Sequence, residues 1–268
     1  MALSRWTPRR VLDAAAAWVW VPGGAIDVRT ADYEIIRYPD RLLDSTFPAA
    51  QVVWLETSRP LGEVIDEVSA QVREWGLSAA HWWVSAATVP AGAEAALRAR
   101  GAELTESVQV LAYEIEAGLP ALDAPADLAV ELVRDERTVL AASGVAARGW
   151  GRAEPDATHL AGELEEAVGG LAAWSSFRVV AFLGGTPVAT GGCTLAGDVA
   201  RLWGAVTLAG FRGRGGYRAV LAERLRLARE HGATLALVKG RTVTSGPILL
   251  RAGFTNFGQE RCYRLAAG

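Results

Sequence analysis

The residues best suited to chemistry lie between Phe211 and Leu225, where glycines and arginines precede an amphipathic segment. They are Arg212, Gly213, Arg214, Gly215, Gly216 and Arg218. Glycines let the backbone turn tightly, so that several N–H groups can converge on one small anion. The helix predicted to follow adds its unpaired N-terminal amides and the positive end of its dipole. The pattern predicts a diphosphate-binding turn between a strand and a helix.

Other phosphate-binding motifs are excluded by their spacing. A P-loop requires lysine followed by serine or threonine directly after its last glycine, but the single lysine, Lys239, lies far downstream. A dinucleotide-binding fingerprint requires a third glycine where this chain has Arg218. An isolated Arg-Gly-Gly fragment is also unlike the repeated tracts of RNA-binding proteins.

The six residues from Arg212 to Tyr217 resemble the acyl-CoA loop of the GNAT superfamily of N-acyltransferases, Arg-x-x-Gly-x-Gly/Ala. The resemblance covers roughly residues 128–268 and includes the order of the predicted elements. A hairpin with a Gly-rich turn at 184–187 leads to a strand over 199–208 and then to the loop and its helix. A strand over 235–238 and a helix ending in Gly253-Phe254 follow.

The resemblance implies where an acyl-CoA would lie. Backbone groups of Ala205, Val206 and Thr207 would hold the pantetheine arm, and an N–H there would polarise the thioester carbonyl. The loop residues that would bind the diphosphate are Arg212, Gly213, Arg214, Gly215, Gly216, Tyr217 and Arg218. The implied co-substrate is acetyl-CoA or another acyl-CoA, without a metal ion.

Two positions depart from the family pattern. Tyr217 replaces the last glycine or alanine of the loop, and we expect its ring to pack against the core. Leu249 stands where many family members carry a tyrosine that protonates the leaving thiolate. A leucine cannot donate a proton, so Tyr263, on the predicted last strand, is the alternative candidate for the proton donor. The alternative interpretation of Tyr263 is purely structural: its ring packs in the core and its hydroxyl lies near the rim of that core.

The acceptor site is predicted at the segment 147–152, where Arg148 and Trp150 combine a cation with an aromatic face. We expect a Gly-rich loop there, between two helices. An ordinary interhelical turn would explain the same residues. A general base is not identified: Glu136, Glu154, Asp156 and His159 all fall in this predicted helical region.

The two halves of the chain are faintly similar. Arg73-Glu74-Trp75-Gly76 matches Arg229-Glu230-His231-Gly232, and Leu97–Gly101 matches Leu249–Gly253, each in the same order of elements. The place of the Gly loop in the first half contains Glu56 and Pro60 and no glycine, so we expect no CoA binding there. The predicted domains are a degenerate copy over 1–118, a linker over 119–127 and an acyl-CoA-binding domain over 128–268.

Composition excludes several classes of function. With 27 basic and 30 acidic residues the formal charge is −3, which indicates neither a nucleic-acid partner nor a membrane surface. The two cysteines, Cys193 and Cys262, fall in predicted strands and are too few for a zinc site without other ligands. No segment is long and apolar enough to span a bilayer, and the expected location is the cytoplasm.

Together these features predict an α+β protein of two GNAT-like domains, each a mixed, mostly antiparallel sheet flanked by helices. The predicted activity is transfer of an acyl group, expected to be acetyl, to an amine by direct attack. The acceptor is a small-molecule amine or a peptide N-terminus. The alternative is a CoA-binding sensor or scaffold with little or no catalytic activity. Acceptor identity, acyl length and oligomeric state do not follow from the sequence.

Overall fold

The structure is a computed structural model, which describes residues 5–39 and 48–268. From the N-terminus, the elements are α1 (Pro8–Ala16), β1 (Ile26–Arg29), β2 (Tyr33–Arg37), β3 (Ala50–Leu55), α2 (Leu61–Glu74), β4 (Ala79–Val84), α3 (Ala93–Ala99), β5 (Glu103–Glu114), β6 (Leu128–Leu132), α4 (Glu136–Trp150), α5 (Ala157–Ala172), β7 (Ser176–Leu183), β8 (Thr186–Ala196), β9 (Val199–Thr207), α6 (Gly216–Glu230), β10 (Leu235–Arg241), α7 (Ser245–Arg251) and β11 (Thr255–Ala266).

The chain divides into two compact units. The first contains the residues up to Val110 together with Gly240–Pro247 and Asn256–Gly268. The second contains Leu111–Lys239 and Ile248–Thr255. This division differs from the domains predicted over 1–118 and 128–268, because the last strand of the chain belongs to the first unit and the end of β5 to the second.

In the first unit the strand order is β1-β2-β3-β4-β11. Neighbours are antiparallel except β3 and β4, which are parallel. Helix α2 buries its apolar face against this sheet, and the residues it contributes to the core are Val64, Ile65, Val68 and Val72. Their spacing of three to four places them on one side of the helix, which is the reason this segment packs as an amphipathic helix.

In the second unit the strand order is β10-β9-β8-β7-β6. β10 is parallel to β9, and the other neighbours are antiparallel. The predicted hairpin is present, and its turn consists of Gly184 and Gly185, both with positive φ, at 55° and 81°. Helix α6 buries Val220, Leu221 and Leu225 in the core of this unit.

The internal repeat is visible in the order of the elements. β3, α2, β4, α3 and β5 follow one another as β9, α6, β10, α7 and β11 do. The predicted fold class is confirmed, since each unit is a mixed, mostly antiparallel sheet flanked by helices.

The segment over 119–127, predicted as a linker, contains no helix or strand. However, Leu122 is buried in the core of the second unit, so this segment is packed against that unit. Both cysteines are buried and free, in β8 and β11. Among the described residues, no helix is both long and apolar enough to cross a membrane.

Candidate functional site

The glycine loop follows β9 directly in the second unit. A short 3-10 turn at Ala209–Phe211 leads into it, and α6 begins at Gly216. Gly213 and Gly215 have φ of +78° and +81°, a left-handed conformation that strains any residue with a Cβ. The two glycines therefore set the path of the loop, as the sequence predicts.

The start of α6 presents backbone N–H groups that donate to no described residue. Gly215 is its N-cap and supplies no side-chain cap. The first hydrogen bond of the helix runs from the N–H of Ala219 to the carbonyl of Gly215, at 3.0 Å. Within the described ranges, the N–H groups of Gly216, Tyr217 and Arg218 have no acceptor. They are therefore available to an anion at the positive end of the helix dipole.

Three arginines surround this helix start, and we call them the loop arginines: Arg212, Arg214 and Arg218. Arg212 and Arg214 are exposed, and the guanidinium of Arg214 lies 5.7 Å from the centroid of the Phe211 ring. Nη2 of Arg218 lies 3.4 Å from the position that a Cβ on Gly215 would take. None of the three pairs with a carboxylate of the described chain, so their charge is not neutralised locally.

Strand β9 has a strand partner on both sides only at its beginning. Its pairing with β10 covers Val199–Arg201 and ends there, whereas pairing with β8 continues to Thr207. Between these points the β8 register shifts, and Gly204 has φ of +61°. This is a β-bulge, in which one strand carries an extra residue and bends. The sequence reasoning missed the bulge, although a glycine inside a strand was the available signal.

Ala205 lies in the bulge, and Val206 and Thr207 follow it and lead to the loop. The end of this predicted stretch therefore lies close to the start of α6. The position that a Cβ on Gly216 would take lies 3.7 Å from Oγ1 of Thr207. That hydroxyl oxygen is buried and has no hydrogen-bond partner among the described residues. A buried hydroxyl without a partner is costly, and a ligand group that bonds to it would relieve this cost.

Pro125, from the predicted linker, lies directly against the loop. Its Cγ and Cδ atoms are 2.5 Å from the position that a Cβ on Gly215 would take. Gly215 is thus required for two reasons, its positive φ and the space next to Pro125. The sequence did not predict the second reason, because Pro125 lies far away along the chain.

The last turn of helix α4 packs against β9. A Cβ on Gly149 would collide with the side chain of Val206, so the two backbones approach closely. This places the predicted acceptor residues Arg148 and Trp150 next to the strand that contains Val206. The expected Gly-rich loop is corrected by the structure: both residues lie in the last turn of α4, which ends at the left-handed Gly151. The helix continues through Gly149 and ends only at Gly151, whose left-handed conformation is the usual way in which a helix stops.

The four candidates for a general base have mainly local partners. Asp156 caps α5 by accepting a hydrogen bond from the N–H of His159, at 2.8 Å. Nε2 of His159 lies 3.5 Å from Glu163, and Glu154 lies 3.8 Å from Arg148. Glu136 is in the first turn of α4. The contacts of Asp156, His159 and Glu154 account for these three residues without a role in proton transfer.

Trp203, which the sequence analysis did not single out, lies on β9 immediately before the bulge. Its ring covers Gly192 of β8, where a Cβ would collide with the indole. The indole N–H donates to Oγ1 of Thr194 at 2.9 Å, and the residue is 36% exposed. A fixed, partly exposed aromatic ring next to the bulge is suited to contact an acceptor.

Tyr217 packs against the core of the second unit, as expected from its apolar neighbours. Burial raises the pKa of its hydroxyl, and the charge of Arg224 opposes this rise in part. The side chain of Tyr217 is therefore directed inward, and only its backbone N–H is available at the start of α6.

Tyr263 lies in the first unit, where it is fully buried, and not in the unit that contains the loop. Its hydroxyl donates to Oε1 of Glu94 at 2.6 Å and accepts from Arg98 at 2.8 Å. Burial, followed by the hydrogen bond to Glu94, raises the pKa of this phenol. These contacts give Tyr263 a structural role in the first unit.

The first unit has a different arrangement at the matching place. β3 and β4 pair only at Gln51 with His81 and at Val52 with Trp82. Beyond this point the chain's own Val89 pairs with the end of β3. Its N–H donates to Leu55 at 3.0 Å, and its carbonyl accepts from the N–H of Thr57 at 3.1 Å. The backbone groups that would hold a pantetheine arm are occupied here.

Solved structures of GNAT proteins match the chain over most of its length. A GCN5-related N-acetyltransferase from Kribbella flavida is 19% identical with a TM-score of 0.64, covering 90% of this chain and 89% of that one. A GCN5-related N-acetyltransferase from Sphaerobacter thermophilus is 16% identical with a TM-score of 0.64, covering 81% and 72%. A tandem GNAT protein from the clavulanic acid biosynthesis pathway is 14% identical with a TM-score of 0.61, covering 97% and 88%.

The chain therefore has the GNAT fold in its tandem form, as the sequence resemblance implies. No protein-family model matches the sequence, and no curated protein matches it.

Proposed function

We propose that this protein is an acyl-CoA-dependent N-acyltransferase whose second unit binds acetyl-CoA and transfers the acetyl group to an amine. The observation that carries the proposal is the start of α6. There, backbone N–H groups without an acceptor in the described chain occur together with the loop arginines, which have no carboxylate partner in it. Such a combination of helix N-terminus and guanidinium groups is suited to a diphosphate.

The acyl group would lie beside β9. Where pairing with β10 ends, the backbone of Ala205, Val206 and Thr207 can bond to a pantetheine arm as an added strand would. A backbone N–H directed at the thioester carbonyl would stabilise the oxyanion of the tetrahedral intermediate. One such donor is typically worth about 10²–10³ in rate. The neutral amine attacks the carbonyl carbon, and the C–S bond breaks as the thiolate leaves. The proton that the amine nitrogen loses passes through solvent to the thiolate, so the products are the amide and free CoA.

The acceptor would bind on the side of β9 where the last turn of α4 lies. The close contact between Gly149 and Val206 brings the last turn of α4 to this strand, and Trp203 adds an aromatic ring beside the bulge. Arg148 and Trp150 are the residues of α4 that we assign to the acceptor site. The acceptor class is an amine of a small molecule or of a peptide N-terminus.

The first unit would bind no CoA. The support for this part of the proposal is Val89, whose backbone already bonds to the end of β3. The segment that replaces the glycine loop contains Glu56, which would repel a phosphate, and Pro60, which is the N-cap of α2 and has no N–H.

A CoA-binding sensor is the second candidate, and one observation favours it. Leu249 is fully buried in the core of the second unit, at the position where the family resemblance implies a proton donor. A sensor needs the diphosphate site but no donor for the leaving thiolate. The two candidates therefore share the binding site and differ in turnover.

Thermal unfolding with and without millimolar acetyl-CoA tests the binding. A ligand at one hundred times its Kd stabilises the native state by about 2.7 kcal/mol, which raises the melting temperature by several degrees. Absence of any shift would contradict both candidates. Release of free CoA in the presence of a panel of amines then separates them, because only a transferase accelerates this release with a particular amine.

A further inference from the structure

Arg224, on the third turn of α6, is a buried cation in the core of the second unit. It is 1% exposed, and no carboxylate of the described chain pairs with it. Burial lowers the pKa of its guanidinium, with a smaller opposing effect from Tyr217. An apolar residue would fill the same space without the desolvation cost of a charge, which is several kcal/mol. Packing alone therefore does not explain an arginine here.

The hydrogen bonds that Arg224 makes within the described chain are all with backbone carbonyls. Nη1 donates to the carbonyl of Gly192 at 3.1 Å and to that of Trp203 at 3.4 Å. Nε donates to the carbonyl of Val220, one turn earlier on the same helix, at 3.3 Å. The guanidinium thus links α6 to both β8 and β9.

The two strand carbonyls belong to Gly192 and Trp203, which form the last regular pair at one end of the bulge. Gly192 pairs with Trp203, and the next pair is Thr190 with Val206. One β8 residue, Gly191, therefore opposes two β9 residues. A bulge interrupts the regular ladder and leaves backbone groups without strand partners. Arg224 supplies donors at this interruption.

Strand β8 has two glycines, Gly191 and Gly192, next to the guanidinium. A Cβ on Gly191 would lie 3.0 Å from Cζ and 3.1 Å from Nη1 of Arg224. On the next residue, a Cβ on Gly192 would collide with the ring of Trp203. The adjacent glycines thus make room for the cation and for the indole, although glycine weakens a strand interior.

We propose that Arg224 is a positioning residue, whose buried guanidinium holds the bulge of β9 and so fixes the direction of the backbone N–H groups at positions 205–207. This inference rests on the proposed acyl-CoA site. Arg224 would not touch the acyl group. Its effect would be on how strongly the backbone polarises the thioester carbonyl, and much less on how tightly the diphosphate is held at the other end of the loop.

The test compares Arg224→Lys and Arg224→Met with the unchanged protein. Acetyl-CoA labelled with ¹³C at the carbonyl serves as the probe, and difference infrared spectroscopy measures the stretching frequency of the bound thioester. A hydrogen bond from a backbone N–H lowers this frequency relative to free acetyl-CoA. We expect Arg224→Met to lose the shift and Arg224→Lys to retain part of it. The Kd for acetyl-CoA should change less than about fivefold, or about 1 kcal/mol.

The outcomes separate the two proposals. If the unchanged protein fails to bind acetyl-CoA, the proposed function is contradicted, and this inference with it. If the unchanged protein binds and shows the shift, and Arg224→Met shows the same shift, only the positioning role is refuted. Should Arg224→Met not fold, Arg224→Lys decides alone, because a full shift with lysine would mean that the fork of the guanidinium is not needed.

Discussion

Replacing Gly215 by alanine tests the loop geometry directly. The left-handed φ of +81° costs an alanine about 1–2 kcal/mol. The new Cβ would also lie 2.5 Å from Pro125, and overpacking of this kind costs about 1–3 kcal/mol. We expect the free energy of unfolding to fall by about 2–5 kcal/mol in total.

Binding should suffer more specifically than stability. If the loop shifts to relieve the contact with Pro125, the N–H groups at the start of α6 move away from the diphosphate. Each hydrogen bond to a charged group contributes about 1.5–3 kcal/mol, so the loss of one weakens binding at least about tenfold. Isothermal titration with acetyl-CoA measures this change, and urea unfolding measures the change in stability.

Gly101 offers a matched control in the first unit. It has the same φ of +81°, but a Cβ there would meet nothing within 4 Å. Gly101→Ala should therefore lose only about 1–2 kcal/mol of stability and keep its affinity for acetyl-CoA. If Gly215→Ala also binds acetyl-CoA with unchanged affinity, the diphosphate does not lie at this turn and the reasoning is wrong.

Three further predictions follow from the contacts. Changing all three loop arginines to alanine should weaken acetyl-CoA binding by about tenfold or more, and the loss should depend on salt. The control is Arg226→Ala, on the outer face of α6, where Arg226 pairs with Glu223 and Glu230. Isothermal titration should show unchanged acetyl-CoA affinity for this variant. Tyr263→Phe should lower the free energy of unfolding by about 1–3 kcal/mol, because Glu94 and Arg98 lose a hydrogen-bond partner. The rate of CoA release should not change. A large loss of CoA release without a loss of stability would instead identify Tyr263 as the proton donor to the leaving thiolate. Burial raises the pKa of both cysteines to about 12 from 9.0, so iodoacetamide at pH 8 should modify them only after unfolding. Because the unfolded thiols ionise first, stability should fall between pH 9 and pH 12, and rapid labelling of the folded protein at pH 8 would contradict the burial.

Local features of the site were predictable because short-range rules determine them. Gly184-Gly185 specifies a two-residue hairpin turn, and the apolar spacing after Gly216 specifies α6. The end of α4 was predicted wrongly: Arg148, Gly149 and Trp150 were expected in a loop, yet they form its last helical turn. A single glycine inside a segment does not stop a helix when the helix is packed against a sheet.

The contacts that shape the site join residues far apart in sequence. Pro125 against Gly215, Gly149 against Val206 and Arg224 at the bulge have no local signature. The pairing of Val89 with the end of β3 is likewise a long-range contact. It occupies the strand edge of the first unit, which is a reason against CoA binding there that is independent of the missing glycines.

The sequence by itself determined the glycine loop, the amphipathic helix behind it and the repeated order of elements, since turn chemistry and hydrophobic periodicity act over a few residues. Only the tertiary structure decided which strands complete each unit and where β9 leaves its neighbour. It also decided which buried groups surround the bulge. Strand pairing and close packing depend on residues brought together by the whole chain, and composition and spacing do not encode them locally.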